Sequence, residues 1–135
     1  MLYVINEGAV AGYAGGQSEV VHLVSAAEEV EAAGLDWVFT DGHADMPPLT
    51  SFYDNLGDLG KIDWEVMESR YWHDTVDHPD RRRRRQAEFL VHDSCPWELI
   101  GKIGVHNQEI AERVLKIIAN VIHRPEIKIE QVWYY

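Results

Sequence analysis

Apolar and polar positions along this chain form short strand-like runs and longer helical repeats. Short apolar runs bounded by glycine or polar clusters favour buried strands, and apolar residues at three- and four-residue intervals favour helices. The pattern predicts strands at residues 1–5, 20–24, 37–40, 89–91, 99–105 and 127–134. With a helix between them, the strands at 20–24 and 37–40 predict a strand–helix–strand succession near the start of the chain.

Start and stop signals indicate two longer helices. Ser25, followed by Glu28 three residues later, has the spacing of a capping box, and Gly34 supplies a stop, which predicts a helix over 25–33. A second helix, N-capped at Asn107, is predicted to run to about residue 122. Short helices are predicted at 54–72, and irregular segments at 44–50 and 73–80.

Length and composition limit the possibilities. With 135 residues and 46% hydrophobic content, the chain can bury one core, so a single domain over residues 1–135 is predicted. No apolar run approaches the length of a membrane span and no leader is apparent, which predicts a cytoplasmic protein with no membrane partner. Cys95 is the single cysteine. It excludes an internal disulfide and a multi-cysteine zinc site, and a buried, inert thiol is predicted.

Charge is unevenly distributed along the chain. The formal net charge is −11, which argues against indiscriminate binding to nucleic acid, yet five of the 12 Lys and Arg residues form the run at 81–85. Glu88 follows this run at the entry of a predicted buried strand. The arginines would keep Glu88 ionised and offer guanidinium groups to phosphates, which suggests a diphosphate substrate meeting a fixed carboxylate. A solvated turn or a nucleic-acid patch is the alternative.

Histidines accompany acidic residues at two places. His43 lies at the exit of a predicted strand, between Asp41 and Asp45, where it could bind a ligand, donate a proton or be satisfied within a turn. The second group consists of His73, Asp74, Asp77 and His78. Either group could hold a metal, but neither has a recognised ligand spacing, so no metal is expected. Neither a Gly-x-Gly-x-x-Gly loop after a strand nor a Walker sequence occurs.

Several motifs in a fixed order resemble the DarT family of DNA ADP-ribosyltransferase toxins, and the resemblance extends over the whole chain. The motifs are Phe39-Thr40-Asp41-Gly42-His43-Ala44, Asp63-Trp64, Tyr71-Trp72, Arg83-Arg84-Arg85-Gln86-Ala87-Glu88-Phe89-Leu90-Val91 and Trp133-Tyr134-Tyr135. The resemblance implies an α+β ADP-ribosyltransferase fold, with a split sheet and flanking helices. It also implies that NAD is the substrate and that ADP-ribose is moved onto thymidine or guanosine in single-stranded DNA. The implied partner is a macrodomain antitoxin, DarG.

The resemblance also assigns roles to individual residues. Glu88 aligns with the family's catalytic glutamate, which would stabilise an oxocarbenium-like ribose as nicotinamide leaves. The NAD-binding residues are expected to be His43, Arg82, Met1 and Tyr3, and the DNA-binding residues Arg83, Arg85, Trp72 and His73. Trp72 could stack on a base or belong to the core.

The beginning of the chain departs from the family pattern. Met1-Leu2-Tyr3 is similar to an internal segment of family members, which carry a further N-terminal portion that helps hold NAD. The fold is therefore expected to be incomplete at its N-terminus and the isolated chain to be poor in transfer activity. The alternative hypothesis is a non-catalytic remnant that binds single-stranded DNA or the antitoxin.

Overall fold

The computed structural model describes residues 2–134, which form short strands and helices. The strands are β1 (His22–Val24), β2 (Trp37–Thr40), β3 (Phe52–Tyr53), β4 (Phe89–Val91), β5 (Lys102–Val105) and β6 (Glu126–Ile129). The α-helices are α1 (Leu2–Asn6), α2 (Ala27–Ala32), α3 (Trp64–Glu68), α4 (Arg81–Arg84) and α5 (Gln108–Ile117). Short 3₁₀ segments lie at Gln17–Glu19, Pro47–Leu49, Leu56–Lys61, Trp97–Leu99 and Gln131–Trp133. Within the described residues, no helix is long and apolar enough to cross a membrane.

The chain divides into two compact units, each with its own three-stranded sheet. The terminal unit combines the chain up to Ala26 with the chain from Pro96 onward, and the central unit comprises Ala27–Cys95. The sheets have the orders β1-β5-β6 and β3-β2-β4. This division agrees with the predicted α+β class and split sheet, whereas the prediction of a single domain stays a prediction.

The core of the terminal unit lies between α5 and its sheet. Strand β5 pairs antiparallel with β1 and parallel with β6, and α5 connects the two parallel strands. Asn107 begins the helix as predicted, because its side chain accepts a hydrogen bond from the N–H of Ile110 at 3.0 Å. The buried apolar side chains of this core are Ile100, Ile103, Val105, Ile110, Ala111, Val114 and Ile118.

The end of the chain packs back onto the terminal sheet. The hydroxyl of Tyr134, a buried residue, donates a hydrogen bond to the carbonyl of Val20 at 2.7 Å. The ring of Trp133 lies over Gly104, where an added Cβ would be 2.3 Å from the ring. Glycine is therefore required at position 104 for Trp133 to occupy this position.

The central unit is held by an antiparallel sheet with stacked aromatic rings. Strand β2 pairs with β3 on one side and with β4 on the other. On one face, the ring of Trp37 stacks on Phe89 at 5.1 Å and the ring of Phe39 on Tyr53 at 5.0 Å. These contacts fix β4, and therefore the residue that precedes it, relative to β2.

One strand prediction for the first third of the chain was wrong. The segment predicted as strand 1–5 contains helix α1, Leu2–Asn6, because a short apolar run does not distinguish a strand from a helix; Met1 lies outside the described residues. The predicted succession of strand, helix and strand is present as β1, α2 and β2, although the two strands belong to different sheets.

Three further predictions were wrong in the second half of the chain. Phe89–Val91 is a strand, but Phe89 and Leu90 are exposed and only Val91 is half-buried, because β4 is at the edge of its sheet. Cys95 is exposed rather than buried. The terminal strand ends at Ile129, and a 3₁₀ segment, Gln131–Trp133, follows.

Candidate active site

Glu88 is held by the strand register of the central sheet. Phe89 pairs with Phe39, so Glu88 lies beside Thr40 where β4 begins. The N–H of Thr40 donates to the carbonyl of Glu88 at 2.9 Å, and the N–H of Glu88 donates to Thr40 Oγ1 at 3.1 Å. Because Thr40 is fully buried, these bonds hold the backbone of Glu88 on both sides without competition from water.

The carboxylate of Glu88 is oriented by a backbone donor. Its Oε2 atom accepts a hydrogen bond from the N–H of Ala44 at 2.8 Å. Glu88 is half-buried, so the carboxylate is fixed on the protein side and still open to a ligand. This confirms the predicted placement of the glutamate at a strand entry.

Ala44 belongs to a segment that we call the site loop, residues 41–50. The buried hydroxyl of Thr40 donates to the carbonyl of Gly42 at 2.6 Å. At the other end, the hydroxyl of Thr50, also buried, donates to the carbonyl of His43 at 2.9 Å. Two buried threonines therefore hold the backbone of the segment that supplies the donor to Glu88.

The ring of His43 has a defined hydrogen-bonding state. Its Nδ1 atom accepts from the N–H of Asp45 at 3.1 Å, so the proton of the neutral ring is on Nε2. The ring is half-buried and follows β2 in the site loop. A donor Nε2–H is the polar group that His43 can offer to a ligand.

Arg83 connects both ends of the site loop to helix α4. Its Nη1 donates to the carbonyl of Asp41 at 3.1 Å, to Asp41 Oδ1 at 3.2 Å and to the carbonyl of Leu49 at 3.1 Å. Its Nε and Nη2 both donate to Asp80 Oδ2, at 3.3 and 3.2 Å. The guanidinium group is therefore used within the protein.

Arg84 is likewise held by carboxylates. It forms an ion pair with Asp63, the residue that N-caps helix α3, and its Nε lies 2.6 Å from Asp80 Oδ1. Burial alone would raise the pKa of Asp80, but the hydrogen bonds and charges of Arg83 and Arg84 outweigh this effect and lower the pKa below its usual value. Asp80 therefore stays ionised and keeps the two arginines in place.

Arg85 and Trp72 form a stacked pair. The Arg85 guanidinium lies over the Trp72 ring at 4.5 Å from its centroid. The same side chain donates to the carbonyls of Val66 and Met67 near the end of α3, at 3.0 and 3.2 Å. Trp72 is 36% exposed, so it is not a core residue. Its ring presents an aromatic surface next to the Arg85 cation.

The other predicted site residues lie in different surroundings. Arg82 is the exposed member of the arginine run, and its backbone N–H donates to Asp74 at 3.0 Å. His73 is exposed in the loop that precedes α4. Tyr3 belongs to α1 of the terminal unit, and its side chain, like Met1, lies outside the described residues.

The structure brings the Glu88 carboxylate and the His43 segment together, as the sequence-based hypothesis requires. It also adds Thr40, Thr50 and the Ala44 N–H, which the sequence analysis did not identify as parts of the site. A threonine at the end of an apolar strand was a weak signal for Thr40. Among residues 2–134, no three His, Cys, Asp or Glu side chains are grouped so that they could hold a metal ion.

This chain is similar to proteins of one known family. The family described as "ssDNA thymidine ADP-ribosyltransferase, DarT" matches residues 1–135. A DNA ADP-ribosyl transferase from Thermus sp. (strain 2.9) is 43% identical over 137 residues, which cover 100% of this chain and 63% of the relative. This chain thus spans less than two thirds of the length of that relative.

Solved structures show the same fold. Thermus sp. 2.9 DarT in complex with ADP-ribosylated ssDNA has a TM-score of 0.91 and 42% identity, covering 99% of this chain and 63% of that one. The structure of Thermus sp. 2.9 DarT in complex with NAD+ has the same TM-score and identity, with 99% and 66% covered. On the match over the full 135 residues and on this shared fold, the chain belongs to the DarT family.

Proposed function

We propose that this protein transfers ADP-ribose from NAD to a base in single-stranded DNA, as a DNA ADP-ribosyltransferase. The observation that carries the proposal is the Glu88 carboxylate, which the Ala44 N–H fixes at 2.8 Å in a half-buried position beside the His43 segment. The chain belongs to the DarT family, whose description names ADP-ribosyl transfer to single-stranded DNA, and a fixed carboxylate suits that reaction.

The reaction breaks the bond between nicotinamide and ribose C1′ and forms a bond from C1′ to a nitrogen of the base. Nicotinamide leaves as a neutral molecule, and the attacking base loses a proton. The ribose passes through an oxocarbenium-like state, in which positive charge develops at C1′. A fixed carboxylate that hydrogen-bonds the ribose 2′-hydroxyl stabilises this charge, which is larger in the transition state than in the ground state. Glu88 is the group proposed for that role.

The residues proposed to hold NAD are His43, Arg82, Met1 and Tyr3. His43 presents Nε2–H as a donor, because Nδ1 accepts from Asp45. Arg82 is exposed, and a guanidinium group is a bidentate donor suited to the NAD diphosphate. Binding of NAD+ by the Thermus relative supports NAD as the substrate.

The residues proposed to contact DNA are Trp72, His73 and Arg85. Arg83, the fourth residue expected from the sequence, uses its guanidinium group on Asp41, Leu49 and Asp80 instead. The Trp72 ring is partly exposed with a cation against it, an arrangement on which an unpaired base can stack. The complex of the Thermus relative with ADP-ribosylated ssDNA supports single-stranded DNA as the acceptor. The family description favours thymidine over guanosine as the modified base. The proposed setting is the cytoplasm, with a DarG-type macrodomain antitoxin as partner.

A transfer assay tests the proposal. Protein produced from its complete open reading frame is incubated with labelled NAD and with single-stranded oligonucleotides that differ only in carrying thymidine or guanosine. We expect label on the thymidine oligonucleotide from the parent protein and none from Glu88→Gln. Binding of the oligonucleotide without transfer would overturn the proposed transferase activity. It would favour a non-catalytic protein that binds single-stranded DNA. Transfer by Glu88→Gln within tenfold of the parent rate would show that Glu88 is not the catalytic carboxylate.

A further inference from the structure

We propose that Arg83 is a positioning residue for Glu88: it holds the site loop so that the Ala44 N–H reaches the carboxylate. The proposal rests on the proposed transferase function and gives Arg83 a different part in it from the DNA contact predicted from sequence. It follows from the surroundings of one guanidinium group in the central unit.

Arg83 joins both ends of the site loop to the residue that precedes α4. Its donors reach the carbonyl and carboxylate of Asp41 at the start of the site loop, the carbonyl of Leu49 near its end, and the carboxylate of Asp80 before α4. Residues 42–48 are therefore held as a closed loop, with Ala44 and its N–H at 2.8 Å from Glu88 Oε2. If the ends of the loop separate, the donor moves away from the carboxylate.

The side chain of Arg83 packs closely against the loop backbone at Gly42. A Cβ at Gly42 would lie 2.9 Å from Arg83 Nη1 and 3.1 Å from Thr50 Oγ1. The guanidinium group is thus seated against the loop backbone. A lysine ammonium is a single point donor, so it cannot reach two carbonyls and two carboxylates from the same position.

The same surroundings argue against a direct phosphate contact. Two carboxylates, Asp41 and Asp80, lie 3.2 Å from the guanidinium nitrogens, and both would repel an approaching phosphate. A phosphate would also have to displace hydrogen bonds that are already made. Arg82, its neighbour in α4, is exposed instead.

The test compares Arg83→Lys and Arg83→Gln with the parent and with Arg113→Lys. Arg113 is a matched control, because it is 56% exposed and forms a surface ion pair with Glu19 in the terminal unit. With NAD and a thymidine oligonucleotide, we expect both Arg83 variants to lower kcat on the order of 10- to 100-fold while the KM values change little, since positioning is lost and binding is kept. Arg113→Lys should match the parent.

Two further measurements separate positioning from general damage. Hydrogen–deuterium exchange should show faster exchange of the Ala44 amide in the Arg83 variants, with unchanged protection of α5 in the terminal unit. Guanidinium ion at millimolar concentration should restore part of kcat in Arg83→Ala and have no such effect on Glu88→Gln. The exchange measurement does not need activity, so it tests the loop contact even if the transferase function fails.

Particular results would overturn the proposal. If Arg83→Lys raises the KM for DNA and flattens its salt dependence with kcat intact, Arg83 is a DNA contact instead. If the Ala44 amide remains protected from exchange in Arg83→Gln, the Arg83 side chain does not hold the site loop.

Discussion

The N–H of Ala44 donates to the carboxylate of Glu88 at 2.8 Å across 44 positions of sequence. This hydrogen bond orients the proposed catalytic oxygen from a loop that follows β2, whereas the backbone of Glu88 is held by Thr40 of the same strand. The site is therefore built from two adjacent strands and the segment between β2 and β3. Changes that move the Ala44 N–H in that segment should therefore act on the orientation of the Glu88 carboxylate.

Glu88→Gln is expected to lower transfer of ADP-ribose at least about 100-fold, because the amide keeps the shape but loses the charge that stabilises the oxocarbenium-like ribose. The thermal unfolding midpoint should change little. Initial rates with labelled NAD measure the effect, and Glu31→Gln, on the exposed surface of α2, is the matched control. A rate within tenfold of the parent would contradict the role of Glu88.

Thr40→Val is expected to cost about 1–3 kcal/mol in the free energy of unfolding, since the buried N–H of Glu88 and carbonyl of Gly42 lose a partner. Activity should fall as well, because Glu88 loses its support. Thr40→Ser retains the hydroxyl and should restore most of both losses. Urea unfolding and initial rates provide the measurements, and equal stability of the valine and serine variants would refute the argument.

Arg82→Gln should weaken NAD binding and leave the unfolding free energy nearly unchanged, because this side chain is the exposed one of the run. If Arg82 contacts a DNA phosphate instead, the slope of log affinity against log salt should drop by about 0.7, as for one phosphate of a single strand. Titrations with NAD and with an oligonucleotide at several salt concentrations distinguish the two. Arg113→Gln is the control. If neither the affinity for NAD nor the affinity for the oligonucleotide changes in Arg82→Gln, the Arg82 side chain contacts neither ligand.

Gly104→Ala should destabilise the terminal unit by about 1–3 kcal/mol, because the new methyl group would lie 2.3 Å from the Trp133 ring and displace it. Gly101→Ala is a matched control on the residue before β5, with no atom within 4 Å of its added Cβ. Denaturant unfolding followed by tryptophan fluorescence checks both. Equal stability of the two variants would show that Trp133 can move at no cost.

Stability should decrease as the pH falls below about 6.5, partly through His22. Burial lowers the pKa of His22, whose Nε2 is buried without a hydrogen-bond partner among the described residues and whose ring packs edge-on against Trp133 and Tyr134. The unfolded chain then binds a proton at a higher pH than the folded one, so stability is lost from the unfolded pKa downward. His22→Phe should flatten this dependence, and the exposed His92→Phe should not. Unfolding curves from pH 5 to 8 test it.

Local features were accessible from the sequence. Strand β2, the Asn107 cap of α5 and the position of Glu88 before β4 depend on residues within a few positions of one another, so periodicity and capping signals reveal them. The ordered motifs also sufficed for the family, because they include the residues around Glu88 and His43.

The partners of the arginines depended on the tertiary structure. Arg83 meets Asp41 across 42 positions and Arg84 meets Asp63 across 21, and no local rule links such residues. A basic run in sequence shows only that cations are concentrated; whether they face phosphate or carboxylates is decided by which loops fold against them. The sequence by itself therefore determined the family, the proposed catalytic glutamate and most strands. Only the folded chain decided that three of the five arginines hold protein groups, because acceptors in the site loop and in the α3 region lie 18 to 42 positions away in sequence.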